Sequence, residues 1–259
     1  MPSYLVTGAN RGIGYGFVQQ LAKDPANTVI GIVRDKVAAD KSVAADGLKN
    51  VTMVQAEIAN HKSLLKARDE VAAITGGSLD YLINNAAFID RATMGKALDE
   101  FEDETESLED ALVESFKVNA VGIIHTINVF LPLVKKGSAK KVVLISTGMA
   151  DPALINSGIA ADAPYTISKA AANTAIYKYN AKYKKEGILF FALSPGVVAT
   201  WAEGKEPEVI NDLRKGAPGW PGPLTPLESA AACLKVIHTF TAEENGGAFV
   251  SHHGNQQWL

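Results

Sequence analysis

Short apolar runs, most of them without polar alternation, recur along the chain at Tyr4–Thr7, Thr28–Val33, Val51–Gln55, Leu79–Ile83, Lys141–Ser146, Ile188–Ser194 and Ala248–Val250. Between them lie stretches with apolar residues every three or four positions, near 12–23, 61–74, 105–134, 165–186 and 226–240. A strand that is apolar on both faces must be covered on both, and helices do the covering. The pattern therefore predicts an α/β fold, a doubly wound parallel sheet with helices on both faces, as one domain over residues 1–259. Ligands of such a sheet gather at the carboxyl ends of its strands.

Three connections at those ends, 86–104, 147–164 and 197–225, are longer than folding requires. Loops above about 15 residues in a domain of this kind are usually functional. The last carries Trp201, Trp220 and the Pro/Gly-rich run Ala217–Pro223, so 197–225 is predicted to be a substrate lid. The acidic run Asp99–Asp110 reads as a solvated loop and helix start.

Composition narrows the partners. With 47% hydrophobic and 20% charged residues the chain can bury a sizeable core, and a net charge of −3 gives no electrostatic reason to bind nucleic acid or an anionic membrane. The longest apolar stretch, 118–134, is broken by Asn119, His125, Thr126, Asn128 and Pro132, which argues against a membrane span. One cysteine, Cys233, excludes a disulfide framework and favours a reducing compartment. Because the strand pattern starts near Ser3, a cytoplasmic protein without a leader peptide is expected.

Two stretches carry chemistry. Tyr165 and Lys169 stand four residues apart in Tyr165-Thr166-Ile167-Ser168-Lys169, at the start of a helical pattern. A helix sets positions i and i+4 on one face, about 5–6 Å apart at Cβ. An ammonium placed there stabilises a tyrosinate and brings the phenol down from its free pKa of about 10, which makes the pair a proton relay. The same spacing arises on ordinary helix faces, so it gains weight only beside a cofactor site.

Such a site is offered by Thr7-Gly8-Ala9-Asn10-Arg11-Gly12-Ile13-Gly14, which leaves the first strand and opens the first helix. This is a Rossmann-type nucleotide turn: the glycines allow a tight bend, close approach of a pyrophosphate, and close packing of helix on sheet. Its spacing is G-x-x-x-G-x-G, where the commoner dinucleotide turn has G-x-G-x-x-G. The second strand ends Gly31-Ile32-Val33-Arg34, with no carboxylate at Val33 where an NAD site would hold an acid. Arg34 and Arg11 are instead donors suited to a 2′-phosphate, so NADP(H) is the expected cofactor. A salt bridge from Arg34 to Asp35 is the alternative use of that arginine.

With both sites in view, the chain resembles the short-chain dehydrogenase/reductase family over nearly its whole length. Within it the likeness is to fungal ketoreductases of the norsolorinic acid ketoreductase type and, more distantly, to carbonyl reductases. The motifs run in family order: Thr7 to Gly14; Asn84-Asn85-Ala86-Ala87, matching N-N-A-G; Asn119; Tyr165 to Lys169; and Ser194-Pro195-Gly196-Val197-Val198-Ala199-Thr200. The resemblance implies that Tyr165 gives a proton to a carbonyl oxygen. It implies that Lys169 binds the nicotinamide ribose and lowers the tyrosine pKa, and that Asn119 holds a water relaying protons to that lysine. The second catalytic hydroxyl falls at Thr147, with Ser146 the less favoured candidate because strand alternation points it to the other face.

The resemblance further implies a cofactor cleft lined by Gly8, Asn10, Arg11, Gly12, Ile13, Gly14 and Arg34. Glu57 and Ile58 would lie near the adenine, Asn85 and Ala86 along the cleft with Tyr165 and Lys169, and Pro195, Gly196, Val198 and Thr200 at the nicotinamide. Three departures stand out: Thr147 stands where the family usually has serine, Ala87 replaces the glycine of N-N-A-G, which needs a backbone tolerant of a Cβ, and Glu57 replaces an aspartate. Family members pair through the helices near 105–134 and 165–186, so a homodimer or homotetramer is implied.

Eighteen positions separate Thr147 from Tyr165, which implies an enlarged loop over a small-molecule carbonyl substrate. Phe88, Met149, Ile155, Trp201 and Trp220, with Met94 and Leu154, are the candidate lining, and no basic cluster accompanies them. A hydrophobic ketone or aldehyde, aromatic or polyketide-like, is therefore expected. Rival classes lack their motifs: there is no G-x-S-x-G elbow for a hydrolase and no complete P-loop. The five histidines show no metal-ligand spacing, so no metal is expected. A redox sensor that binds NADP without turnover, and an alcohol dehydrogenase working in the oxidising direction, are the alternatives.

Overall fold

The computed structural model describes residues 1–101, 104–201, 205–207 and 209–259. Its strands are β1 (Ser3–Thr7), β2 (Thr28–Val33), β3 (Val51–Gln55), β4 (Tyr81–Asn84), β5 (Lys141–Ile145), β6 (Leu189–Ser194) and β7 (Phe249–Ser251). They form one parallel sheet in the order β3-β2-β1-β4-β5-β6-β7. The order reverses between β1 and β4, where Val6 pairs with Gly31 on one side and Ile83 on the other. A crevice opens beyond the carboxyl ends at such a reversal.

The unbroken apolar strands follow from this layering. Leu5, Ile30, Ile32 and Val54 point into one core, against α3 (His61–Thr75), α5 (Gly122–Val134) and α7 (Ala163–Tyr183). Tyr4, Val6, Val29 and Val33 point into the other, against α1 (Gly12–Ala22) and α9 (Pro226–Thr239). Alternate residues thus serve opposite faces, and both faces are dry.

The structure departs from the expected elements in several places. A helix, α2 (Lys36–Ala45), lies where none was predicted; only Ala39 of it is buried, so it has no apolar stripe to read. The fourth strand begins two residues later than expected, because the Asp80 carboxylate is spent anchoring Ser3, Ser138 and Ala139 ahead of it. The stretch 105–134 is not one α-helix: α4 (Thr105–Phe116) passes through a π turn, Lys117–Val121, into α5. By length and composition alone 105–134 would suit a membrane crossing, but Ile123, Ile127 and Phe130 are fully buried in the core.

The remaining helices are α6 (Pro152–Asn156) in the connection after β5, α8 (Val209–Gly216) inside the predicted lid, and α10 (Ala242–Asn245) before β7. The lid is closed at its base by a parallel bridge from Val198 to Leu224, with Ala199 and Leu224 N–H groups each donating at 2.9 Å. Part of it, 202–204 and 208, lies outside the described residues.

Candidate active site

The crevice is stitched together by Thr7. Its hydroxyl accepts the N–H groups of Asn85 and Ala86, each at 3.0 Å, while Asn85 Nδ2 donates to the Thr7 and Gly8 carbonyls at 3.0 and 3.3 Å. The end of β4 is thereby fastened to the turn after β1. Gly14 packs so tightly here that a Cβ would lie 2.2 Å from the Gly8 carbonyl oxygen and 2.5 Å from Asn85 Nδ2. Gly12 holds φ +55° with only Thr200 Cγ2 near, at 3.5 Å from where a Cβ would stand. The late motif thus returns onto the glycine turn.

Helix α1 grows from this turn with no side-chain cap and no acid in its first turn. Its orphan N–H groups and positive end therefore suit an anion. Asp35 does not pair with Arg34: its carboxylate caps α2, accepting from Ala38 N at 3.0 Å. Arg34 and Arg11 are both exposed, and among the described residues neither forms an ion pair. An uncapped helix start, a glycine turn and two unpaired guanidinium groups fit a phosphate-bearing dinucleotide. Asn10 is exposed and Ile13 half-buried in the same turn, and at the end of β3 Glu57 is exposed while Ile58 is buried. Ala87 is exposed and has no positive φ, so the Cβ replacing the family's glycine is accommodated without strain. Pro195 accepts from Ser229 Oγ at 2.8 Å, and the His252 ring packs against Gly196.

At the head of α7, Lys169 is 1% exposed and its Nζ donates to the Ile145 carbonyl, at the end of β5, at 2.5 Å. Burial pulls its pKa down to about 7. The Tyr165 phenol is pushed the other way, above its ordinary value, by burial first and by the Asp162 carboxylate second. Lys169 is thus committed to a strand carbonyl, and burial by itself favours the protonated phenol of Tyr165.

Asn119 sits in the π turn, fully buried. Its Oδ1 accepts from Phe88 N at 2.7 Å, and its Nδ2 donates to Phe88 O at 2.8 Å and to Ser168 Oγ at 2.9 Å. Both N–H groups of the amide are therefore spent on fixing the chain after β4 and on the helix that bears Tyr165. A π turn swings a side chain out of the regular helical row, and such turns collect at functional sites.

The two candidate hydroxyls separate cleanly. Ser146 is 2% exposed and donates to Asn173 Oδ1 on α7 at 2.7 Å, so it is a core contact. Thr147 is half-buried and among the described residues its hydroxyl accepts only a long bond from Met149 N, 3.3 Å, and donates to none.

On the substrate side, Phe88 is held by Asn119, Met149 follows Thr147, and Ile155 lies on α6, 38% exposed. Trp201 and Trp220 are half-buried in the lid. A third tryptophan was missed by sequence reasoning. Trp258 packs its indole on Gly148, with Cγ 3.0 Å from where a Cβ would stand, and against Phe249 with ring centroids 4.7 Å apart. The tail that brings it there is shaped by a turn in which Asn255 accepts twice, its Oδ1 from Gln257 N at 2.9 Å and its main-chain carbonyl from Ser251 N at 2.6 Å. Only an isolated aromatic in a polar tail marked it in the sequence.

Comparison with known proteins matches this geometry. Residues 3–209 fit the family model described as short chain dehydrogenase. The short-chain dehydrogenase/reductase AacuF of Aspergillus aculeatus is 45% identical over 269 residues, and the short chain dehydrogenase virK of Hypocrea virens 43% over 271, each covering 100% of both chains. Among solved structures, the NADPH-bound carbonyl reductase from chicken fatty liver superposes with a TM-score of 0.79 at 28% identity, over 98% of this chain and 93% of the other. Sheet order, glycine turn, buried lysine and full-length likeness agree: the chain belongs to the short-chain dehydrogenase/reductase family.

Proposed function

We propose that the protein is an NADPH-dependent reductase of hydrophobic ketones or aldehydes, with Tyr165 as the proton donor. The observation that carries the reading is the pairing at the head of α7, where Tyr165 stands one helical turn from a buried lysine tied to the end of β5. A phenol is protonated at neutral pH, and a cation one helical turn away stabilises the tyrosinate left when its proton is given, so the pair can serve as a general acid. The chicken carbonyl reductase, whose structure carries NADPH, supports the choice of cofactor, as do Arg34 and Arg11, which form no ion pair among the described residues.

The glycine turn, the α1 terminus, Asn85 and the 195–200 motif would hold the dinucleotide, with Arg34 and Arg11 on its 2′-phosphate. When bound, its nicotinamide supplies the hydride. Thr147 donates its O–H to the substrate carbonyl and orients it. Tyr165 gives its proton to the same oxygen as the carbonyl carbon gains the hydride, yielding the alcohol. Lys169, near neutrality in its own pKa, stands one turn behind the phenol to restore the proton. Phe88, Met149 and the lid tryptophans would supply an apolar lining, and an aromatic or polyketide-like substrate suits it.

The same reading includes a homodimer. A groove of about 430 Å³ between α4 and α7 is lined by Leu112, Val113, Phe116, Val121 and Ile167. Val113, Phe116 and Ile167 are 59%, 48% and 45% exposed, an apolar face that a second copy would cover.

The experiment is NADPH consumption at 340 nm with aliphatic, aromatic and quinone carbonyls, beside NADH and beside Tyr165→Phe. Turnover with NADPH that falls by about 10²–10⁴-fold in the variant supports the mechanism. Tight NADPH binding without reduction of any carbonyl would favour the sensor alternative.

A further inference from the structure

The residue before α7 is unusual. Asp162 holds φ 57° and ψ 36°, the left-handed conformation, and apart from Lys140 it is the one non-glycine residue with positive φ among the described residues. Aspartate is among the few non-glycine residues that enter this conformation, ordinarily with its side chain bonded to nearby main chain. Asp162 is also the N-cap of α7, where an aspartate ordinarily accepts from the N–H of its own helix. Here the side chain makes no such bond. Its Oδ1 accepts instead from Gly95 N, 67 residues away, at 2.8 Å. Only the main chain of Asp162 serves the helix, its carbonyl accepting from Thr166 N at 2.9 Å.

Gly95 lies in the middle of 86–104, the long connection after β4. The start of that connection is already pinned by Asn119 at Phe88, and Lys96 closes an ion pair with Glu104 at 2.7 Å. The bond to Asp162 is a second anchor, reaching across to the helix that begins with Tyr165. Between the two anchors the segment exposes Ile89 and Met94, 46% and 49%.

We propose that Asp162 is a positioning residue that latches the 86–104 segment to the head of α7, so that access to the carbonyl site and the placement of Tyr165 are set together. The proposal rests on the reductase reading above for its kinetic consequence, but not for the latch itself. Its carboxylate also helps to hold the neighbouring phenol protonated, consistent with a group built into the site.

The test uses the full chain with Asp162→Asn and Asp162→Gly, following amide exchange of Gly95, NADPH affinity, and kcat and KM for a reduced carbonyl. Asparagine tolerates the left-handed conformation and keeps an acceptor; glycine keeps the conformation and deletes the acceptor. In Asp162→Gly, Gly95 exchange is expected to quicken by about tenfold, the worth of one such bond. KM is expected to rise by about five- to tenfold, with NADPH affinity unchanged. Asp162→Asn is expected to stay within about twofold of wild type in exchange and in KM.

Wild-type exchange and KM in Asp162→Gly would overturn the proposal, as would equal losses in both variants or a parallel loss of NADPH affinity. If wild type reduces no carbonyl, the reductase reading fails, while the exchange of Gly95 still decides the latch.

Discussion

Tyr165 and Lys169 are moved in opposite directions by one cause, removal from water: burial raises the phenol and lowers the ammonium. The spacing singled out the pair only together with the glycine turn, and it did not report what each is bonded to. The lysine's partner is a carbonyl 24 residues upstream on another element. The lysine also writes a pH dependence into the fold. In the unfolded chain it stays protonated to about pH 10.4, in the folded protein only to about 7. Between those values the unfolded state binds more protons, so stability rises with pH, and below about 7 the full cost remains. Lys169→Met should flatten that slope in denaturant midpoints taken from pH 7 to 10. The hydroxyls give a second test. Thr147→Val should lower kcat by about 10²-fold with little loss of stability. Ser146→Ala strands Asn173 Oδ1, so it should cost about 1–3 kcal/mol of stability and leave kcat within a few fold.

Among elements, the strands were legible because two dry faces write an unbroken apolar run. Helix α2 was not, since a helix burying only Ala39 has no stripe. The π turn at Lys117–Val121 also has no sequence signature; it is imposed by the bonds Asn119 makes to Phe88 and Ser168. The start of α2 bears on cofactor choice: because Asp35 caps that helix, Arg34 is left without an ion-pair partner among the described residues. Arg34→Ala should therefore weaken NADPH binding by at least about tenfold and leave NADH within about twofold, read by quenching of intrinsic fluorescence. Equal losses for both dinucleotides would assign Arg34 to the fold and remove the argument for the phosphate.

For the whole molecule, the sheet reversal between β1 and β4 gathers the glycine turn, Asn85, Thr147 and the Tyr165 helix at one end of the strands. The placement of Trp258 on Gly148 depends on the fold closing the tail back over β5, which no local pattern reports. The apolar face between α4 and α7 reaches the head of α7, where Pro164 and Ile167 line it on either side of Tyr165. Phe116→Asp should convert a dimer to a monomer in light scattering while NADPH affinity holds. The central claim is that Tyr165 protonates a carbonyl that receives a hydride in this crevice. Its most direct test is reduction of an aromatic ketone by NADPH carrying deuterium at either face of C4, with mass analysis of the alcohol. The account predicts one deuterium on the carbinol carbon from one of the two labelled forms, at a rate that Tyr165→Phe lowers at least about 10²-fold without loss of NADPH binding. An alcohol without deuterium, or a Phe variant as fast as wild type, would contradict it.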